Sequence, residues 1–154
     1  SMEPGRLPNN VKLQIPCIEQ KSNRNAFTIL HTFSHLLIKQ LCVESGYSLG
    51  SVRERLYFDA EGDTINHAGI LIYTSGPSSD GTLGGLAGQA GLKRMKGIIQ
   101  AALNSREACS NDPVCKEHEP LDREPNGAAC HTCVILPETS CECRNHMLDR
   151  NWGD

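Results

Sequence analysis

The chain has 154 residues, 38% of them hydrophobic and 21% charged, with a formal net charge of −3. That is enough apolar material for the core of one ordinary domain, and the sequence lacks the polar tracts and charge imbalance of a disordered chain. The slight acidity also argues against a stand-alone nucleic-acid binder, which would carry an excess of Lys and Arg on one face; only Lys93, Arg94 and Lys96 cluster, and they read as a solvated helix face.

Residues 1–24 read as a flexible leading segment. SMEPGRLPNN carries two prolines and no apolar period, and Ser1-Met2 resembles the remnant of a cleaved tag. Residues 25–154 read as a single domain. No apolar run approaches the roughly 20 residues of a membrane-crossing helix, and no signal-peptide pattern is present, so a cytoplasmic location is expected.

From Phe27 to Ser45, Leu30, Phe33, Leu37 and Leu41 recur at three- and four-residue steps, predicting an amphipathic helix at the centre of the fold. Asn25 is its candidate N-cap, and Gly46 stands where a left-handed residue would end it. SVRE, Ser51 to Glu54, matches a capping box and predicts a short helical turn. Arg55–Asp59 and Ala68–Thr74 predict two strands paired as a hairpin, with a connector too long for a two-residue turn. A second helix is predicted from Leu92 to Asn104, with Leu92, Met95, Ile99, Ala102 and Leu103 on one face.

The last third is punctuated by Pro and Gly and holds six cysteines in the pattern Cys109-x5-Cys115-x14-Cys130-x2-Cys133-x7-Cys141-x-Cys143. A C-x2-C turn can aim two thiolates at one zinc ion about 2.3 Å away, and a second pair completes a tetrahedron. Cys109 and Cys115 are the natural second pair, across a turn at Asp112-Pro113. Cys141, Cys143, His118 and His131 compete for a place in that shell. Disulfides suit this chain less well, because it exceeds the size of small disulfide scaffolds and carries no secretion signal. A thioredoxin-like role for Cys130 and Cys133 would need a helix after the motif, and Pro137 stands in the way. Cys17 and Cys42 read as unrelated to the cluster, Cys42 as a reduced core residue.

His31 and His35, one helical turn apart, could face one metal. HTFSH lacks the glutamate of HExxH, so the two read as histidines hydrogen-bonded along a helix face, or as part of an interaction surface. The glycine-rich loop Gly81–Gly88 does not match a phosphate-binding motif, and close backbone packing explains its composition. Ser75, Ser78, Ser79 and Asp80 lie on a loop after the second strand.

The ordered series HTFSHLLI, GYSLGSVRERLYF, ILIYTSGPSSDGTLGGL, CSNDPVC, AACHTCVILPETSCE and NHMLDR resembles the C-terminal domain of DrmB-like proteins, components of the DISARM anti-phage systems of bacteria. It is similar, more distantly, to the zinc-binding domain that follows the motor of mitomycin-repair helicases. The resemblance runs from Ala26 to Arg150. It implies a zinc-binding accessory module in a helicase-associated, DNA-processing protein, with Zn2+ held by Cys109, Cys115, Cys130 and Cys133 and Cys141 as the first substitute. It further implies a helicase-like subunit or domain as partner, with DNA reached through the assembly. The alternative is a metal-dependent hydrolase or nuclease built on His31, His35, Asp80 and the glycine-rich loop. The expected architecture is α+β: a central amphipathic helix, a small β-hairpin, a second helix and a loop-rich C-terminal segment fixed by zinc.

Overall fold

The computed structural model describes residues 21–74, 85–119 and 126–152. Its order is helix α1 (Lys21–Ser45), a 3-10 turn (Leu49–Ser51), strands β1 (Val52–Glu61) and β2 (Thr64–Thr74), a one-turn helix α2 (Gly85–Gln89) and helix α3 (Leu92–Ser105). This is the expected α+β arrangement, with the cysteine-rich segment after it. Residues 1–20, with Cys17, and the loop residues Ser75, Ser78, Ser79, Asp80 and Gly81 to Gly84 lie outside the described residues.

Helix α1 begins ahead of the expected start, and Asn25 is an exposed residue within it rather than its cap. Its buried positions are Asn23, Phe27, His31, Thr32, Ser34, His35, Leu36, Ile38, Leu41 and Cys42. Leu30, Phe33 and Leu37, expected to lead the core stripe, are only half-buried. The reason is that other elements cover most of the helix circumference, so polar side chains are buried alongside apolar ones. By length and mean hydropathy, Asn23–Ser45 reaches the range of a membrane-crossing helix, which a search for unbroken apolar runs passes over. More than half of that stretch is buried inside this fold, as befits a core helix. Gly46 ends α1 as expected, with φ +73° and its N–H donating to Cys42 O at 2.9 Å.

SVRE does not start a helix. The 3-10 turn ends at Ser51, and Val52 opens β1. Both strands are longer than predicted and meet at a two-residue turn, Gly62-Asp63, where Gly62 adopts φ +58°. Asp59 pairs with His67 and Ala60 with Ile65, so Asn66 is the extra residue of a bulge, and its Nδ2 donates to Asp59 Oδ2 at 3.2 Å. Alternation sends Val52, Glu54, Phe58 and Ala60 inward and leaves Arg53, Arg55, Tyr57 and Asp59 exposed.

Helix α3 lies against α1 and buries Ile98 and Ala102; Leu92, expected on that face, is exposed. Lys93, Arg94 and Lys96 are exposed, as read from sequence. Among the described residues, three apolar clusters each join α1 to the C-terminal segment. Phe27 meets Cys141, Cys143 and Met147; Leu36 meets Val134 and Leu148; Ile38 and Cys42 meet Val52 and Leu136. Each fully buried aliphatic or aromatic side chain contributes about 1.5–3 kcal/mol.

Among the described residues, the C-terminal segment has no helix or strand and is held by specific hydrogen bonds. It runs beside the free edge of β1, where Glu54 N–H donates to Ser140 O at 3.0 Å and Leu56 N–H to the Glu142 carboxylate at 2.8 Å. Asn145 brackets Leu136, accepting from its N–H at 3.0 Å and donating to its carbonyl at 2.9 Å. Asp149 N–H donates to Thr32 Oγ1 at 2.9 Å.

Candidate metal centre

Two turns bring Cys109, Cys115, Cys130 and Cys133 together. In the first, the backbone folds back through Asp112 N–H to Cys109 O and Cys115 N–H to Asn111 O, both 3.0 Å, around a cis Asp112-Pro113 peptide. The Asp112 carboxylate adds a bond from Cys109 N–H at 2.9 Å. The second is the CHTC turn, closed by Val134 N–H to Cys130 O at 3.0 Å.

The four sulfurs lie within 4.8 Å of one another. Sγ separations are 3.5 Å for Cys109–Cys130, 3.7 Å for Cys115–Cys133 and 3.6 Å for Cys130–Cys133. Zinc–sulfur bonds of about 2.3 Å in a tetrahedron place neighbouring sulfurs roughly 3.7 Å apart, whereas a disulfide would hold them at about 2.05 Å. All four thiols are free, and the spacing suits a metal.

The surroundings suit it as well. Asn111 donates from its backbone N–H to Cys109 Sγ and from Nδ2 to Cys130 Sγ, both at 3.4 Å. Lys39 Nζ, from α1, donates to the carbonyls of Thr132 and Cys133 at 3.0 and 2.9 Å. The buried Arg150 guanidinium pairs with the Asp112 carboxylate and lies against Cys115. Four thiolates and one dication leave two negative charges; Lys39 and Arg150 bring two positive ones beside them, and Asp112, paired with Arg150, adds one negative charge. Burial raises the Cys115 thiol. At Cys130 burial acts the same way, but hydrogen bonds from Cys133, Cys109 and Asn111 outweigh it and hold the thiol down at about 6.

The residues expected to compete lie elsewhere. His118 and His131 are exposed and outside the group, and Cys143 is packed against Phe27 and Phe58. Cys141 joins a second cluster, with His31, His35 and Glu54, all four buried. The histidines are hydrogen-bonded, as the sequence suggests, but their full burial removes them from any exposed interaction surface. His31 Nε2 is 3.1 Å from Glu54 Oε1 and 3.2 Å from Cys141 Sγ, and His35 Nε2 is 3.2 Å from the same Glu54 oxygen. His35 Nδ1 donates to Val134 O at 3.0 Å. Burial lowers the His35 pKa, and it raises the Cys141 thiol with help from the Glu54 charge.

Glu54 is the residue that sequence reasoning missed. The missing acid of HTFSH comes from the adjacent strand rather than the helix. Its signal was a lone carboxylate on the inward side of the alternation Val52, Glu54, Leu56, Phe58, obscured by the capping-box match.

Residues 33–134 match the family model of the MrfA Zn-binding domain, a stretch that contains the whole four-cysteine cluster. The chain belongs to this MrfA Zn-binding domain family. Zinc is accordingly its cofactor, and the tetra-cysteine cluster is the donor set that fits such an ion. The MrfA Zn-binding domain match leaves His31 and Cys141 outside its limits. The chain is also similar to the DISARM protein DrmB of Bacillus paralicheniformis, 44% identical over 126 residues, covering 81% of this chain and 22% of the relative. It thus spans about a fifth of that protein's length.

Proposed function

We propose that this chain is a non-catalytic zinc module of a helicase-associated anti-phage defence protein acting in the cytoplasm. In this reading residues 25–154 form one unit, Cys109, Cys115, Cys130 and Cys133 hold one Zn2+, and the unit docks a helicase-like subunit or domain and helps position DNA within the assembly. The convergence of four sulfurs from two separate turns carries the reading. Four protein donors fill a tetrahedral shell and leave no position for water or substrate, which marks a structural ion rather than a hydrolytic one. The similarity to DrmB supports the defence context.

Docking is supported by the outer face of the hairpin. Arg53 pairs with Tyr73, Arg55 with Leu71 and Tyr57 with Gly69, so two arginines, two tyrosines and a leucine share one side of the sheet. Tyr57 is 52% exposed, Leu71 47% and Tyr73 40%, and Arg53 and Arg55 are also exposed. Arginine and tyrosine side chains are enriched among the contacts that dominate protein interfaces, and the same side chains stack on bases.

The test uses the full-length protein with the helicase-like subunit of the same defence system. Arg53→Glu with Arg55→Glu should keep zinc content and melting temperature while weakening subunit binding about 10-fold or more and reducing DNA retention by the complex. Unchanged binding and unchanged DNA retention in a zinc-loaded, folded variant would refute the docking reading.

A further inference from the structure

With both imidazoles neutral, the cluster of His31, His35, Glu54 and Cys141 has too few hydrogens for the atoms that face one another. A carbonyl oxygen only accepts, so the 3.0 Å contact with Val134 O fixes the proton of His35 on Nδ1. The lone pair on Nε2 then points at Glu54 Oε1, 3.2 Å away, and a carboxylate has no proton to offer it. His31 Nε2 meets the same oxygen and the Cys141 sulfur together. Glu54 Oε2 and His31 Nδ1 are buried with no hydrogen-bond partner. A second proton on His35 would satisfy only its contact with Glu54, whereas a metal cation among the four facing atoms satisfies every contact between them, that of the Cys141 sulfur included.

We propose that His31, His35, Glu54 and Cys141 form a second metal site, which takes a divalent transition ion of the zinc class. The donors are imidazole Nε2 twice, a carboxylate oxygen and a thiolate, a set suited to zinc in a tetrahedron. With bonds of about 2.0–2.3 Å, neighbouring donors in such a shell lie roughly 3.3–3.8 Å apart, so the contacts at 3.1–3.2 Å need only a small expansion. Charge supports the assignment too. Two neutral imidazoles, one carboxylate and one thiolate balance a dication, so the buried site is neutral overall.

The surrounding bonds are those of a metal centre. The His35 Nδ1–H bond to Val134 O is the backing contact that orients a metal-held imidazole. Asn145 N–H donates to Cys141 Sγ at 3.2 Å, and left-handed backbone at Arg144 (φ +53°) and Asn145 (φ +57°) shapes the turn that aims it. The four donors leave no open position, so the ion's role is to join α1, β1 and the C-terminal segment. The inference does not depend on the docking reading above.

Metal analysis of the purified chain, with zinc K-edge absorption, tests it directly. Two zinc equivalents per chain are expected, with nitrogen or oxygen scatterers beside sulfur. Glu54→Gln should bind one equivalent, surrounded by sulfur alone, and Cys130→Ser should lose the other. One equivalent in the wild-type protein, in an all-sulfur shell, overturns the proposal. That measurement decides the matter even where Glu54→Gln fails to fold.

Discussion

Lys39 Nζ lies 2.9 Å from the carbonyl oxygen of Cys133 and 3.0 Å from that of Thr132, so a cation of α1 is tied to the CHTC turn. Replacing it with methionine keeps the stem and removes both the donors and the charge that offsets the thiolates. Lys39→Met should lower zinc affinity about 10-fold or more in a chelator competition, the usual scale for a lost outer-shell contact. Lys39→Arg should lose less.

Zinc binding to the metal-free protein should release protons, and the pH dependence has a definite sign. Burial raises the Cys115 thiol, and also the Cys133 thiol, so both carry protons at neutral pH and must lose them to bind. Cys130, held at about 6, is already mostly thiolate there. Apparent affinity should therefore rise as pH increases from 6 to about 8, with more than one proton released per zinc. Calorimetry in buffers of different ionisation enthalpy measures this release, and a pH-independent affinity would contradict the ligand set.

Cys42 should be chemically silent in the folded state. Burial pushes its thiol up to about 11. An unfolded cysteine titrates near about 8.5, so this contribution to stability is full below that pH and is lost as pH rises through about 11. Iodoacetamide at pH 8.5 should leave Cys42 unmodified in the zinc-loaded protein and label it after denaturation, as peptide mass mapping would report.

Gly127→Ala should destabilise the C-terminal segment. A Cβ at this position would collide with the Asp149 carboxylate. Asp149 Oδ1 accepts from Ala128 N–H at 3.1 Å and Asn151 N–H at 2.9 Å, so it cannot turn away without losing both. A cost of about 1–3 kcal/mol is expected in chemical denaturation, in line with other insertions into packed regions. Asp149→Ala should lose the two hydrogen bonds and make Gly127→Ala less costly.

Much of this was legible where one local rule governed the outcome. The period of Leu30, Phe33 and Leu37 announced α1, although those residues do not mark its deepest side, because burial around a central helix depends on elements distant in sequence. Cys130-x2-Cys133 with Cys109 and Cys115 was readable because turn spacing alone places the sulfurs. The hairpin is longer than its apolar runs suggest: in its exposed end, Thr64 to His67, only Ile65 is apolar, which hides the strand pairing, although Gly62-Asp63 is a competent two-residue turn. Glu54 and Cys141 were illegible as partners of His31 and His35, since the contact joins residues as much as 110 positions apart and no local pattern encodes it.

The hydrogen bond between Asp149 and Thr32 spans 117 positions. During synthesis α1 leaves the ribosome long before the residues that cover Thr32 and line Leu36 have been translated. Such long-range closure carries a loop-entropy penalty and slows consolidation of the native state. A nascent chain halted before Leu148 would expose an apolar helix with buried-type polar groups to the cell, a natural substrate for chaperones.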